Sequence, residues 1–110
     1  MDVLAADLVV QYKERLLNRY TAAYPEHFSR LKKEGMIAFI DRGVELAQRH
    51  DISTERDVAD FINLVLKTTG DFDWVLQKQP VREILEDENI SGKFKVRLLY
   101  MELLDESIES

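Results

Sequence analysis

Asp71 and Asp73, two residues apart in the run DFDW, come closest in this chain to the spacing of a metal loop. Calcium loops open with carboxylates at that interval, but they need further oxygen ligands and a glutamate about seven residues later. Val75 to Gln79 offers no such ligand beyond glutamine, so the pair reads as a helix end followed by a surface loop, and no metal or cofactor is expected. Phe72 and Trp74 would fasten that loop to the core. His27 and His50 are the two histidines, each near a helix end, with no HExxH spacing and no serine in a nucleophile-elbow context. His50 follows Arg49 and suits the negative end of its helix.

Two charged groupings remain. Arg15, Arg19, Arg30, Lys32 and Lys33 interleave with Tyr12, Tyr20, Tyr24 and Phe28, a mixture that serves nucleic acid or a protein interface. Glu14, Glu26 and Glu34 dilute its charge. At the other end, Glu86, Asp87 and Glu88 join Glu102, Asp105, Glu106 and Glu109 in an acidic region. It reads as solubilising surface or as a docking surface for a basic protein. Tyr100, Glu102, Asp105 and Glu106 on the last helix are the candidate partner-binding residues. No catalytic residues are assigned, and the expectation is a protein that is not an enzyme.

The charge balance weighs against nucleic acid. The net charge is −6, and residues 71 to 110 hold 10 acidic against 5 basic side chains, so a phosphate backbone would be repelled there. With 45% hydrophobic and 33% charged residues over 110 positions, the chain has the composition of one folded domain, expected over 1–110 with 106–110 frayed. It has no cysteine, which excludes disulfides and thiolate chemistry. The N-terminal run MDVLAADLVVQYKER has acids where a signal peptide has bases, and no segment reaches the roughly 18 apolar residues of a membrane span. A cytoplasmic location is the expectation.

Helical periodicity runs through the chain. Leu4, Leu8, Tyr12, Leu16 and Tyr20 define a first helix that starts after Asp2, whose carboxylate can cap the first turn, and runs to about Ala23. Pro25 opens a short second helix carrying Phe28 and Leu31, which Gly35 ends or bends. The third covers about Met36 to Arg49, with Gly43 on its inner stripe to permit a close helix crossing. Ser53 or Thr54 caps the fourth, whose Val58, Phe61, Ile62, Val65 and Leu66 precede a left-handed stop at Gly70. Pro80 starts another short helix with Val81, Ile84 and Leu85, and Ser91 caps the last. That last helix is apolar around much of its girth, with Phe94, Leu98, Met101 and Asp105 on one line. Such a helix is central to a core or contacts a partner, a second copy included. The expected fold is all-α, a compact single-domain bundle of four longer and about two short helices.

Across residues 25 to 104 a pattern of glycines and apolar residues stands out. It comprises His27-Phe28, Gly35 with Phe39 and Ile40, Gly43, the turn from Ile52 to Val58, Phe61-Ile62, Gly70-Asp71-Phe72-Asp73, and Ile84-Leu85 before Ser91-Gly92-Lys93. In this pattern the chain resembles a family of small bacterial proteins encoded near type VI secretion spike and effector genes. The resemblance implies an accessory role with no catalytic residues: a co-chaperone or adaptor that binds an effector, its chaperone or a spike component before secretion. An immunity protein that occludes a toxin in the cytoplasm is the alternative. Acidity favours immunity, because toxins acting on nucleic acid are often basic. The apolar last helix favours chaperoning.

Overall fold

The computed structural model describes the backbone of residues 2–109 and the side chains of residues 9–104. The fold is all-α: α1 (Asp2–Ala23), α2 (Pro25–Arg49), α3 (Glu55–Thr68), α4 (Phe72–Gln77), α5 (Gln79–Glu86) and α6 (Gly92–Glu109), with no strand among the described residues. Backbone contacts group the chain into two units, Met1–Arg42 and Gly43–Ser110, and α2 is the element that runs from one into the other.

In the first unit, Tyr24 interrupts the helical run between α1 and α2, yet the backbone bonds continue through it, Tyr24 N–H to the Tyr20 carbonyl at 2.8 Å and Phe28 N–H to the Tyr24 carbonyl at 3.1 Å. Leu16, Tyr20, Met36 and Ile40 are buried, and an ion pair of 3.0 Å joins Lys13 on α1 to Asp41 on α2. The break expected at Gly35 falls instead at Lys32, which has φ 64 and ψ 176, while Gly35 itself is helical. A Cβ at Gly35 would lie 2.9 Å from the Leu31 Cβ, so the glycine makes room for the kink beside it rather than making the kink.

That region of backbone space is nearly reserved for glycine and costs other residues about 1–3 kcal/mol. Glycine loses about 0.5–1 kcal/mol more than other residues in conformational freedom on folding. Relief of the strain outweighs that loss, and Lys32→Gly is expected to raise stability by about 1 kcal/mol, read as a higher urea midpoint. A lower midpoint would show that lysine is unstrained at this position.

In the second unit, α3 is capped by Thr54, whose hydroxyl accepts from the Asp57 N–H at 3.1 Å. Its C-terminus closes at Gly70, φ 72, with the Gly70 N–H bonded to the Val65 carbonyl at 2.7 Å. Before α3, Asp51 (φ 65) takes the left-handed position after α2, and the Ile52 N–H reaches the Ala47 carbonyl at 2.8 Å. This is the Schellman closure, and it buries Ile52 completely. Gly43 does permit a close approach, since a Cβ there would lie 2.5 Å from Ile62 Cγ1 and 2.9 Å from Phe72 Cζ.

The segment expected as a loop, Phe72–Gln77, is the short helix α4. Asp71 caps it by accepting from the Asp73 N–H at 2.9 Å, which gives the aspartate pair a structural use. Phe72 is buried with its ring 5.8 Å from that of Phe61, whereas Trp74 stays 43% exposed under Lys78, whose ammonium stands 4.6 Å from the indole. Only the phenylalanine acts as the expected anchor. α5 follows with Val81 and Leu85 buried, α4 packs on α5, and both α3 and α5 pack on α6.

Candidate functional site

α6 is the helix on which the candidate binding residues converge, and its inner side is fixed at three levels. At the start, Ser91 caps it, its hydroxyl accepting from the Phe94 N–H at 3.4 Å. Gly92 then passes so close to the 51–52 turn that a Cβ would run into the Asp51 carbonyl oxygen and lie 2.9 Å from the Ile52 Cα. One turn further along, Lys95 is 2% exposed and donates from Nζ to the Leu85 carbonyl at 2.8 Å and the His50 carbonyl at 3.0 Å. At the third level the Tyr100 hydroxyl donates to the Asp60 carbonyl at 3.1 Å and accepts from Asn63 Nδ2 at 3.5 Å. Val96, Leu99 and Leu103 fill the space between these contacts.

Lys95 takes the part expected of His50. Both carbonyls it binds close helices, Leu85 in the last turn of α5 and His50 just past α2, where backbone oxygens lack intrahelical donors and partial negative charge collects. The buried ammonium supplies donors and charge to the two ends at once. His50 is consequently biased towards its neutral form. Burial lowers its pKa most, the Lys95 charge next and Arg49 less, while a hydrogen bond to the Leu85 carbonyl and the charge of Glu86 pull the other way.

This lowering fixes the sign of the pH effect. As pH falls through 6.5 the unfolded chain takes up a proton that the folded chain still resists, so folding stability declines until the lowered folded pKa is passed. Stability is therefore expected to be greater at pH 7.5 than at pH 5.5 by a small margin, because His50 is only partly buried. In His50→Gln the margin should shrink; an unchanged margin would assign the pH dependence to other groups.

Between α3 and α6 lies an open groove of about 640 Å³. Thr54, Arg56, Asp57 and Asp60 form one wall, and Lys93, Val96, Arg97 and Tyr100 the other. The groove brings together three cations in a chain whose net charge is negative. A smaller, apolar recess of about 300 Å³ belongs to the first unit, where Val10, Leu17, Ile37 and Ile40 are rimmed by Glu14 and the Lys13–Asp41 pair.

The outer side of α6 is different again. Phe94 is 57% and Met101 56% exposed, Leu98 lies half-buried between them, and the Arg97 guanidinium stands 5.9 Å from the centre of the Phe94 ring. Of the expected partner-binding residues, Tyr100 and Glu102 do not share a face. Tyr100 is half-buried and tied to α3. Glu102, also half-buried, lies about 200° further round the helix from it. The side chains of Asp105 and Glu106 lie outside the described residues. Asp87 of the other acidic run accepts from the Asn89 N–H at 2.9 Å and serves the turn before α6.

His27 pairs its Nδ1 with an Arg30 Nη2 at 3.0 Å. Among the described residues no group of three or more acidic or histidine side chains could hold a metal, and no helix is long and apolar enough to cross a membrane. No family model, characterised protein or solved structure matches the chain.

Proposed function

We propose that this protein is a protein-binding factor that offers the outer face of α6 to its partner. The observation that carries the reading is the line of exposed Phe94, half-buried Leu98 and exposed Met101 along a helix whose opposite side is already buried. Exposed apolar side chains scattered singly need no explanation, but three in line on one helix form a patch of the kind that a partner covers. Arg97 beside them adds a residue type common at the energetic centres of interfaces.

The resemblance to proteins of type VI secretion loci gives this surface its context. Within it, the chain acts in the cytoplasm as a co-chaperone or adaptor that holds an effector, its chaperone or a spike component before loading. An apolar helix face suits that task, because effector segments awaiting export expose apolar surface of their own. The net charge of −6 favours a second reading, an immunity protein steered to a basic toxin.

Affinity capture from the native cells, with Phe94→Glu/Met101→Glu as control, tests the reading. An effector precursor or its chaperone held by the wild type and lost from the variant supports the adaptor role, provided circular dichroism shows the variant folded. A lone toxin domain, held stoichiometrically and inactive, assigns immunity instead. Partners retained equally by the variant would move the contact to another face.

A further inference from the structure

Two neighbouring residues of α2 suit different shapes of that helix. Lys32, at φ 64 and ψ 176, occupies backbone space that belongs essentially to glycine, and a straight helix would release it. Gly35 does the reverse. In a straight helix the Cβ atoms of residues four apart lie about 5–6 Å from each other, so a side chain at position 35 would clear Leu31. In the bent helix a Cβ there would lie 2.9 Å from the Leu31 Cβ, an atom fixed directly to the backbone. The lysine is unstrained only in a straight α2, and the glycine is required only in a bent one.

The bend decides where α1 lies. Lys13 of α1 pairs with Asp41 of α2, and Leu17 shares a recess with Ile37, so the two helices run antiparallel and the chain doubles back between them. Backbone hydrogen bonds continue through Tyr24, and Lys32 is the residue within α2 whose φ and ψ leave the helical range. Turning Lys32 into that range makes α2 one rod of 25 residues, about 37 Å long, and carries α1 away from Asp41. A single open copy then gives up the burial of Leu16, Tyr20, Met36 and Ile40. A second open copy offers the same surfaces, so the contacts return when each α1 docks on the α2 of the other.

We propose that Lys32 is a hinge through which two copies exchange α1, giving a closed monomer when dilute and an α1-exchanged dimer when concentrated. Strain in a short connection invites such exchange, because the dimer keeps the docking contacts and releases the strain of both copies. The Lys13–Asp41 ion pair re-forms between copies. α6 belongs to the other unit and takes no part in the exchange.

Concentrated to about 1 mM and held just below the unfolding transition, the protein should yield a species of twice 12.9 kDa by sedimentation velocity. Gly35→Ala should raise the association constant at least about tenfold, and Lys32→Gly should lower it by about as much, because each dimer straightens two hinges. Lys32→Ala removes the charge and keeps the strain, and should stay within about threefold of the wild type. The ion pair reports the exchange itself. A zero-length carbodiimide joins the Lys13 ammonium to the Asp41 carboxylate as an amide. When unlabelled and heavy-isotope-labelled monomers are mixed before concentration, about half of these links in the dimer fraction should join labelled to unlabelled chains, and none in the monomer fraction.

A mass held at 12.9 kDa in both the wild type and Gly35→Ala overturns the exchange, as do shifts of Gly35→Ala and Lys32→Gly in the same direction. A dimer whose Lys13–Asp41 links join only like-labelled chains is packed side by side and overturns it too. If Phe94→Glu/Met101→Glu abolishes the dimer, α6 holds the copies together and the hinge does not.

Discussion

Gly92→Ala should lower stability by about 2 kcal/mol, from a change of one methyl group. Two effects oppose each other. Alanine is favoured over glycine in a helix by about 1 kcal/mol, and less than that in the first turn, where the helix is only beginning. Against this, the new Cβ would overlap the Asp51 carbonyl oxygen and press on the Ile52 Cα. Both obstacles are backbone, and the turn that holds them is pinned by the bond from Ile52 N–H to the Ala47 carbonyl and by the complete burial of Ile52. Neither can swing aside as a flexible side chain would. Overpacking of this kind costs about 1–3 kcal/mol and sometimes more, so the clash prevails.

For a chain of this size, whose total stability is of the order of 5–15 kcal/mol, such a loss moves the urea midpoint by more than about 1 M. Gly92→Val should be worse still, because its added branches meet the same wall. An alanine variant as stable as the wild type would mean that the start of α6 can lift off the 51–52 turn freely.

The second large effect concerns Lys95. Lys95→Met keeps the length and most of the volume of the side chain and removes the ammonium, leaving the carbonyls of Leu85 and His50 without their charged donor. A buried acceptor that loses its partner costs about 1–3 kcal/mol, and Leu85 retains a second donor in His50. Removing a buried charge works in the other direction, since the desolvation of the ammonium no longer opposes folding. Where the charge sits on two helix C-terminal ends, the bonds should outweigh that relief, and a loss of about 3 kcal/mol is expected by chemical denaturation. Lys95→Ala should lose more, because it adds a cavity to the missing donors. A methionine variant at least as stable as the wild type would show that the lysine is tolerated there rather than required.

The bounds of α1 and α3 could be read from the chain because several turns of apolar periodicity ended in recognisable chemistry, with Thr54 at one end of α3 and Gly70 at the other. α4 could not. Six residues are too few to establish a period, and Asp71 before Phe72 has the same appearance in a loop as at a helix cap. The kink was displaced by three residues because glycine is the usual bearer of positive φ, and here a lysine adopts it while Gly35 supplies the clearance.

The candidate site was legible only in part. The line of Phe94, Leu98 and Met101 followed from spacing, but which side of an all-round apolar helix faces outward depends on packing that spacing does not specify. Arg56 stands 37 residues before Lys93, so nothing local announces the groove of mixed charge they share with Arg97, Asp57 and Asp60. Lys95 was hidden by its type, since lysine reads as surface. Its signal was positional, a cation one and four residues ahead of buried Val96 and Leu99.

The buried lysine also orders events in time. Its ammonium can leave water only after the Leu85 and His50 carbonyls, which lie 10 and 45 residues away in the chain, have been brought together to receive it. The first turns of α6 are therefore expected to dock late, after the end of α2 and α5 have met. The methionine variant should accordingly fold at nearly the wild-type rate and come apart faster, with the loss concentrated in the unfolding limb of a chevron plot. On this view the lysine serves less to find the fold than to lengthen its lifetime.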